Sequence, residues 1–175
     1  MSDPALPPAI AAMAAAAEAA RARPVQDWHP AHCGDSHMRI LADGSWLHEG
    51  APIRRPALVK LFASILRREA DGRYVVVTPG EKLTVAVDDA PFVAVELATE
   101  GEGAARRFAF RLNTDDIVVA GRDHAIATQN GRPYLHVRHG LTARIARPVF
   151  YELAELALSE GADGLYSDGA YFALA

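Results

Sequence analysis

The chain has 175 residues, of which 18 are lysine or arginine and 22 are aspartate or glutamate, so its formal net charge is −4. Such a chain has no global positive field to attract nucleic acid or an anionic membrane, and we predict neither as a partner. The one cysteine, Cys33, excludes an internal disulfide framework and a four-cysteine zinc site. A hydrophobic content of 50% is typical of a globular protein with one compact domain or two small ones.

An alanine-rich segment opens the chain, and we predict a helix over 5–22 because alanine has the highest helix propensity. Ile10 and Met13 are its candidate contacts with the rest of the protein. The apolar run over 9–17 is shorter than the roughly 20 residues that span a bilayer. No lysine or arginine precedes it, as one would in a secretory signal. We therefore expect a cytoplasmic protein.

The sequence repeats at an offset of 92 residues, which aligns 51–74 with 143–166 without a gap and with 10 of 24 positions identical. Pro56 and Pro148 are equivalent in the two copies, and each suits the first turn of a helix. Apolar residues follow Pro56 at helical spacing as far as Leu66, which predicts a helix that ends near Arg67 and Arg68. The repeat therefore predicts two similar units, each with one amphipathic helix.

Several segments between and after the helices are rich in β-branched and aromatic residues, and tight-turn sequences separate them. The predicted strands include 74–78, 83–87, 92–98, 107–112, 117–120, 165–166 and 171–174. Because most of them follow one another through short turns, we predict an α+β fold with a mainly antiparallel sheet. We divide the chain into an N-terminal helix and linker (1–27), a first repeat with its following strands (28–112) and a second repeat (113–175).

A set of short motifs is distributed along most of the chain. They are Cys33-Gly34-Asp35, Met38-Arg39-Ile40, Asp43-Gly44-x-Trp46, Ile53-x-Arg55-Pro56, Val76-Val77-Thr78-Pro79-x-Glu81-Lys82, Asp89-Ala90-Pro91-Phe92-Val93 and the stretch 148–153. Together they resemble the bacterial family of unknown function numbered 1285, from about residue 28 to residue 172. The resemblance implies an α+β fold with two structural repeats and a role in regulation or signal transduction. It implies no catalytic residue.

A second group of residues has metal-binding chemistry. His29, His32, Cys33 and Asp35 lie within seven positions of one another in a segment that we interpret as a loop. Imidazole, thiolate and carboxylate groups are the usual ligands of zinc. The alternative interpretation is a turn-rich connector, in which Asp35 forms a side-chain turn and Cys33 is a small buried residue. The spacing matches no familiar metal motif, so the connector is the favoured interpretation.

Two arginines, Arg55 and Arg147, occupy equivalent positions in the repeat. Arginine is a poor helix N-cap, so helix initiation does not explain them. One interpretation is structural: each guanidinium joins the two repeats through hydrogen bonds. In the other, each lies beside a helix N-terminus that binds an anion.

The favoured function is a non-enzymatic binding module with a regulatory role, whose ligand is a small molecule or a protein. We place its site in a groove between the repeats, bordered by Asp35, Arg39, Arg55 and Arg147. The alternative is a metal-assisted hydrolase that uses the segment 29–37. Nothing in the sequence indicates a dinucleotide, haem or flavin, and we predict no cofactor. A third interpretation is a structural homodimer, in which exposed apolar residues of the second helix such as Val149 and Tyr151 lie at the subunit interface.

Overall fold

The computed structural model describes residues 25–174, together with Pro8, 10–12 and Ala15. Most of the helix predicted over 5–22, including Met13, thus lies outside the described residues, whereas Ile10 is buried. The chain forms two compact units. The first runs to Leu41 and continues over Ser45–Asp88, and the second comprises Ala42–Gly44 and the residues from Asp89 onward. This boundary differs from the one predicted at 112/113, because the strands that follow Asp89 pair within the second unit.

The first unit contains a six-stranded sheet and one helix. Its elements are β1 (His32–Ile40), β2 (Trp46–His48), β3 (Ala51–Pro52), α1 (Pro56–Ser64), β4 (Leu66–Arg68), β5 (Tyr74–Val77) and β6 (Glu81–Val87), preceded by a short 3-10 turn, Val25–Asp27. The strand order is β3-β2-β1-β6-β5-β4. Two antiparallel meanders of three strands therefore meet at the centre, where β1 and β6 run parallel.

The second unit follows the same path. Its sheet contains β7 (Phe92–Glu100), β8 (Arg107–Leu112), β9 (Ile117–Val119), β10 (Ile126–Gln129), β11 (Arg132–Arg138) and β12 (Leu141–Ile145), in the order β10-β11-β12-β7-β8-β9. Again the first and last strands, β7 and β12, run parallel at the centre. Helix α2 (Arg147–Ser159) and the hairpin of β13 (Gly164–Ser167) and β14 (Ala170–Ala173) complete the unit, with a 3-10 turn over Gly103–Ala105.

The predicted fold class is confirmed: strands dominate, two similar β-rich units are present, and antiparallel pairing prevails. Within the described residues the two central pairs are the exceptions to antiparallel pairing. The turns at Asp43-Gly44 and Asn130-Gly131 connect hairpins, for which Asp-Gly and Asn-Gly pairs are favoured. Gly44 and Gly131 both have positive φ angles, which glycine adopts without a steric cost.

The first helix is shorter than predicted. It ends at Ser64, and Arg67 and Arg68 belong to β4 instead of to a last helical turn. The Arg67 side chain is only 5% exposed. Its Nη1 donates to the carbonyl oxygens of Val25 and Trp28, at 3.0 and 2.7 Å. Strand pairing with β5 and this buried hydrogen bonding outweigh the helical periodicity that extends to Leu66.

The two faces of the first sheet have different environments. Met38, Ile40 and Val85 are buried on one face, where the Trp46 ring stacks on Phe62 of α1 with centroids 6.3 Å apart. Directly opposite residues in neighbouring strands point to the same face. The register pairs Arg39 with both Leu47 and Ala86, so these three side chains share the other face, and none of them is fully buried.

Helix α2 buries Val149, which is 2% exposed, and leaves Tyr151 55% exposed. The expectation that Val149 is exposed at a subunit interface is therefore wrong, because this side chain belongs to the core. Among the described residues, no helix is both long enough and apolar enough to cross a membrane.

A buried arginine links α2 to the sheet of the second unit. The Arg106 side chain is 7% exposed, lies over the Phe108 ring and forms an ion pair with Glu160 at the end of α2. The hydrogen bonds from Arg106 hold the pKa of the Glu160 carboxyl below its ordinary value of 4.5. A carboxyl group whose pKa is lower in the folded state than in the unfolded state stabilises the protein at pH values above the unfolded-state pKa. This stabilisation is lost as the pH falls through the folded-state pKa.

We therefore expect the Glu160→Gln variant to lose less stability than the unaltered chain when the pH falls below about 4.5. Urea unfolding of both proteins between pH 6 and pH 3 measures this difference. The control is Glu155→Gln, which replaces an exposed glutamate of the same helix and is expected to keep the acid dependence of the unaltered chain. Identical acid dependence in the Glu160 variant and the unaltered chain would show that the pair carries no such linkage.

Candidate functional site

The outer face of the first sheet, opposite α1, contains a groove of about 780 Å3. Binding cavities for small molecules in proteins are typically of this size. Asp35 and Arg39 of β1 line it, as do Thr84 and Ala86 of β6. Leu47, Tyr74 and Arg73 contribute to its sides. Two of the four residues predicted for a ligand site, Asp35 and Arg39, therefore line one groove within the first unit.

A bulge in β1 positions the two predicted residues. In the pairing with β6, Asp35 lies opposite Thr84 and Met38 lies opposite Val85, so two extra residues are accommodated in β1. Asp35 and Arg39 are four positions apart in β1. Their partners in β6, Thr84 and Ala86, are only two positions apart. Bulges commonly redirect side chains beside functional sites. The bulge places a carboxylate and a guanidinium close together on the face that forms the groove.

Side-chain hydrogen bonds hold this bulge in place. Asp35 Oδ1 accepts the backbone N–H of His37 at 2.8 Å, which is the side-chain turn predicted from the sequence. Ser36 Oγ accepts the N–H of Met38 at 3.1 Å and donates to the carbonyl oxygen of Thr84 at 2.6 Å. His37 has a φ of 57°, a conformation that is uncommon for residues other than glycine. These bonds compensate for the strained backbone and fix β1 against β6.

Two arginines of the groove have an aspartate partner. Arg39 Nε donates to Asp88 Oδ1 at 2.7 Å, and Arg73 Nε donates to Asp71 Oδ2 at 2.7 Å. The backbone N–H of Arg73 also donates to Asp71, and together with the Arg73 side chain it lowers the pKa of that carboxyl below its ordinary value. Each guanidinium is thus held to its aspartate through Nε.

The residues considered as metal ligands do not form a cluster. The segment 29–37 is not one loop, because His32, Cys33 and Asp35 belong to the extended strand β1. Alternate side chains of a strand point to opposite faces, which separates His32 from Cys33 and Asp35. Among the described residues, which include His29, no three His, Cys, Asp or Glu side chains are close enough to hold a metal ion. Cys33 is exposed, so the expectation of a buried cysteine is wrong.

The two repeated arginines are at the starts of the helices. Arg55 is the half-buried N-cap residue of α1, and its side chain makes no capping hydrogen bond. Arg147 is exposed and is the first residue of α2, in the second unit. Neither arginine lines the groove of the first unit. Their roles, and a ligand site between the repeats, stay predictions.

Sequence reasoning missed Arg73 and Ala86. Arg73 lies one residue before β5, where it reads as part of an ordinary turn after Gly72. Ala86 is an exposed small residue in the central strand β6. The one signal in the sequence is the alternation of β6, in which Thr84 and Ala86 are smaller and more polar than Leu83, Val85 and Val87. That alternation identifies an outer face but not a groove.

The fold defines a class of protein built from two six-stranded sheets, each with a parallel pair at its centre. The sequence profile of the domain of unknown function DUF1285, N-terminal domain, matches residues 23–90. The profile of the C-terminal domain of the protein of unknown function DUF1285 matches residues 91–174. The chain therefore belongs to the DUF1285 family, which confirms the resemblance identified in its motifs.

Two solved structures are similar to this chain. A DUF1285 family protein from Silicibacter pomeroyi DSS-3 is 40% identical with a TM-score of 0.79, and the match covers 93% of each chain. A DUF1285 family protein from Shewanella baltica OS155 is 25% identical with a TM-score of 0.56, and the match covers 67% of this chain and 90% of that one. No curated protein matches the chain significantly.

Proposed function

We propose that this protein is a non-enzymatic ligand-binding module with a regulatory role, and that its ligand site is the groove of the first unit. The observation that carries the proposal is the bulge of β1, which places Asp35 and Arg39 beside the exposed Ala86 in a cavity of about 780 Å3. The regulatory role rests on the family resemblance, whereas the site rests on the geometry of the groove.

Three features favour binding at this place. The walls are strands of a hydrogen-bonded sheet, and sites on regular elements are held more rigidly than sites on loops. Ala86, which has a single methyl group as its side chain, leaves room for a ligand to approach the sheet. The charged side chains around it are held by ion pairs, so less conformational entropy is lost when a ligand binds.

The proposal predicts that Ala86→Trp, which fills the centre of the groove, weakens ligand binding at least about tenfold. We would screen the 15N-labelled full chain against defined carboxylates, phosphates, nucleotides and short peptides by amide NMR. A bound compound is expected to shift the amide signals of Leu47, Thr84 and Ala86. The matched control is Ala98→Trp, which adds the same ring at an exposed position of the central strand β7 in the second unit.

Two outcomes would contradict the proposal. If every bound compound shifts amide signals of residues outside the groove instead, the groove is not the ligand site. Conversion of a bound compound, followed in the same samples by its own proton spectrum, would show that the module is not merely a binder.

A further inference from the structure

We propose that the groove of the first unit binds a small anionic molecule, whose carboxylate or phosphate group lies between Arg39 and Arg73. This inference rests on the proposed function, because it names the chemical class of the ligand for the same groove. It adds Arg73, which the sequence did not indicate, to the predicted residue Arg39.

The strand register places the two arginines on either side of Ala86. Arg39 of β1 lies directly opposite Ala86 in the central pair. On the other side of β6, Tyr74 lies opposite Val85, and continuing this antiparallel ladder by one residue brings Arg73 to the level of Ala86. Neighbouring strands are about 4.8 Å apart, so the backbones of Arg39 and Arg73 are separated by about 10 Å. The small side chain of Ala86 lies between them.

Each guanidinium is oriented in the same way. Its Nε is bound by a neighbouring aspartate, Asp88 for Arg39 and Asp71 for Arg73. Within the described part of the chain, the terminal nitrogens of these two arginines have no hydrogen-bond partner. They retain the paired N–H donors that match the oxygens of a carboxylate or a phosphate.

The arrangement is better explained by ligand binding than by stability. The side chains of Arg39 and Arg73 are 58% and 70% exposed. Ion pairs this exposed contribute little to folding, because water competes for both partners. Fixing a long side chain before the ligand arrives, by contrast, lowers the entropic cost of binding it. Two arginines fixed in this way at one level of the sheet provide a prepared pair of donors.

Three carboxylates near the arginines limit the affinity. Asp35 lines the groove, and Asp71 and Asp88 each neutralise part of an arginine's charge. Anion binding here therefore depends on directed hydrogen bonds more than on the overall charge of the groove. We expect dissociation constants for simple anions in the millimolar range and weaker binding at high salt.

The test is titration of the 15N-labelled full chain with inorganic phosphate, with succinate and, as probes without negative charge, with glycerol and putrescine. The Nε–Hε signals of Arg39 and Arg73 and the amide signals of Thr84 and Ala86 report binding. We expect phosphate or succinate to shift these signals and to saturate them. Arg39→Gln and Arg73→Gln are each expected to weaken that binding about tenfold, and the double variant is expected to abolish saturation.

The control variant is Arg107→Gln, which removes an exposed arginine that pairs with Asp168 in the second unit, and it is expected to bind like the unaltered chain. If only glycerol or putrescine shifts the groove signals, the anionic class is wrong while the groove remains a binding site. If phosphate and succinate bind equally to the double variant, Arg39 and Arg73 are not the anion site. If no compound in this test or in the wider screen shifts the groove signals, the proposed function itself fails.

Discussion

Replacing Arg67 by methionine is expected to lower the free energy of unfolding of the first unit by about 3 kcal/mol. Methionine keeps much of the length and volume of the side chain but removes all of its donors. The carbonyl oxygens of Val25 and Trp28 then lose the hydrogen bonds that Arg67 Nη1 donates to them. Glu69 loses one of its two cationic partners, since Arg67 Nη2 lies 3.0 Å and Lys82 Nζ lies 2.9 Å from its Oε1.

The effect is large because Arg67 is buried. Burial alone raises the pKa of Glu69, but the hydrogen bonds from Arg67 and Lys82 outweigh it and hold that pKa below its ordinary value. Glu69 is therefore ionised at neutral pH, and removing Arg67 leaves a partly buried carboxylate with less compensation. The Arg67 side chain also connects the segment 25–28 to β4, so its loss weakens the attachment of that segment to the sheet.

Urea unfolding tests this prediction. It is followed by the amide signals of Val75 and Val85, which report on the first unit alone. The control is Arg107→Met, which removes an equally long cation from an exposed ion pair and should change stability by less than about 1 kcal/mol. A loss as small in the Arg67 variant as in the control would show that the buried hydrogen bonds of Arg67 contribute no more than a surface pair.

The second large effect is expected in the other unit. Ser167→Ala should destabilise it by about 3 kcal/mol, because one hydroxyl satisfies two buried backbone groups. Ser167 is 0% exposed. Its Oγ accepts the N–H of Phe108 at 2.9 Å and donates to the carbonyl oxygen of Ala120 at 2.7 Å. Alanine leaves both groups without a partner in a place that water does not reach.

The amide signals of Phe110 and Leu135 report on this unit during urea unfolding. Ser159→Ala is the matched control, because the exposed Ser159 hydroxyl donates only to the carbonyl oxygen of Leu156 in its own helix. We expect that variant to remain within about 0.5 kcal/mol of the unaltered chain. Equal effects of the two substitutions would mean that Phe108 and Ala120 find other partners when the Ser167 hydroxyl is removed.

The fold class and most strands could be predicted from the sequence, because turns such as Asn130-Gly131 and runs of β-branched residues act locally. The arrangement of the strands in the sheets could not. The repeat at an offset of 92 aligns β3 and α1 with β12 and α2. Strand β3 lies at the edge of the first sheet, whereas β12 lies at the centre of the second. Similar local sequences thus occupy different positions, which long-range pairing decides.

The candidate site likewise combines features that the local sequence predicts with features that depend on long-range strand pairing. Asp35 and Arg39 were predicted from sequence motifs, and the side-chain turn of Asp35 follows from its local preferences. That this turn becomes a bulge depends on Thr84, whose carbonyl oxygen accepts from Ser36 across a parallel pair of strands. Arg73 becomes relevant only when β5 and β6 are in register. Neither pairing has a signature in the local sequence.

The parallel pair at the centre of each sheet also constrains how the chain folds. Met38 lies opposite Val85 and Phe92 lies opposite Ala143, so the central contacts join residues that are about 50 positions apart in the sequence. Closing loops of this length has an entropic cost that must be met before the central contacts form. Each sheet can be completed only when its sixth strand is present. During synthesis, the backbone edge of β1 that pairs with β6 therefore stays unpaired until β6 has left the ribosome. We expect folding on a slow timescale of milliseconds to seconds.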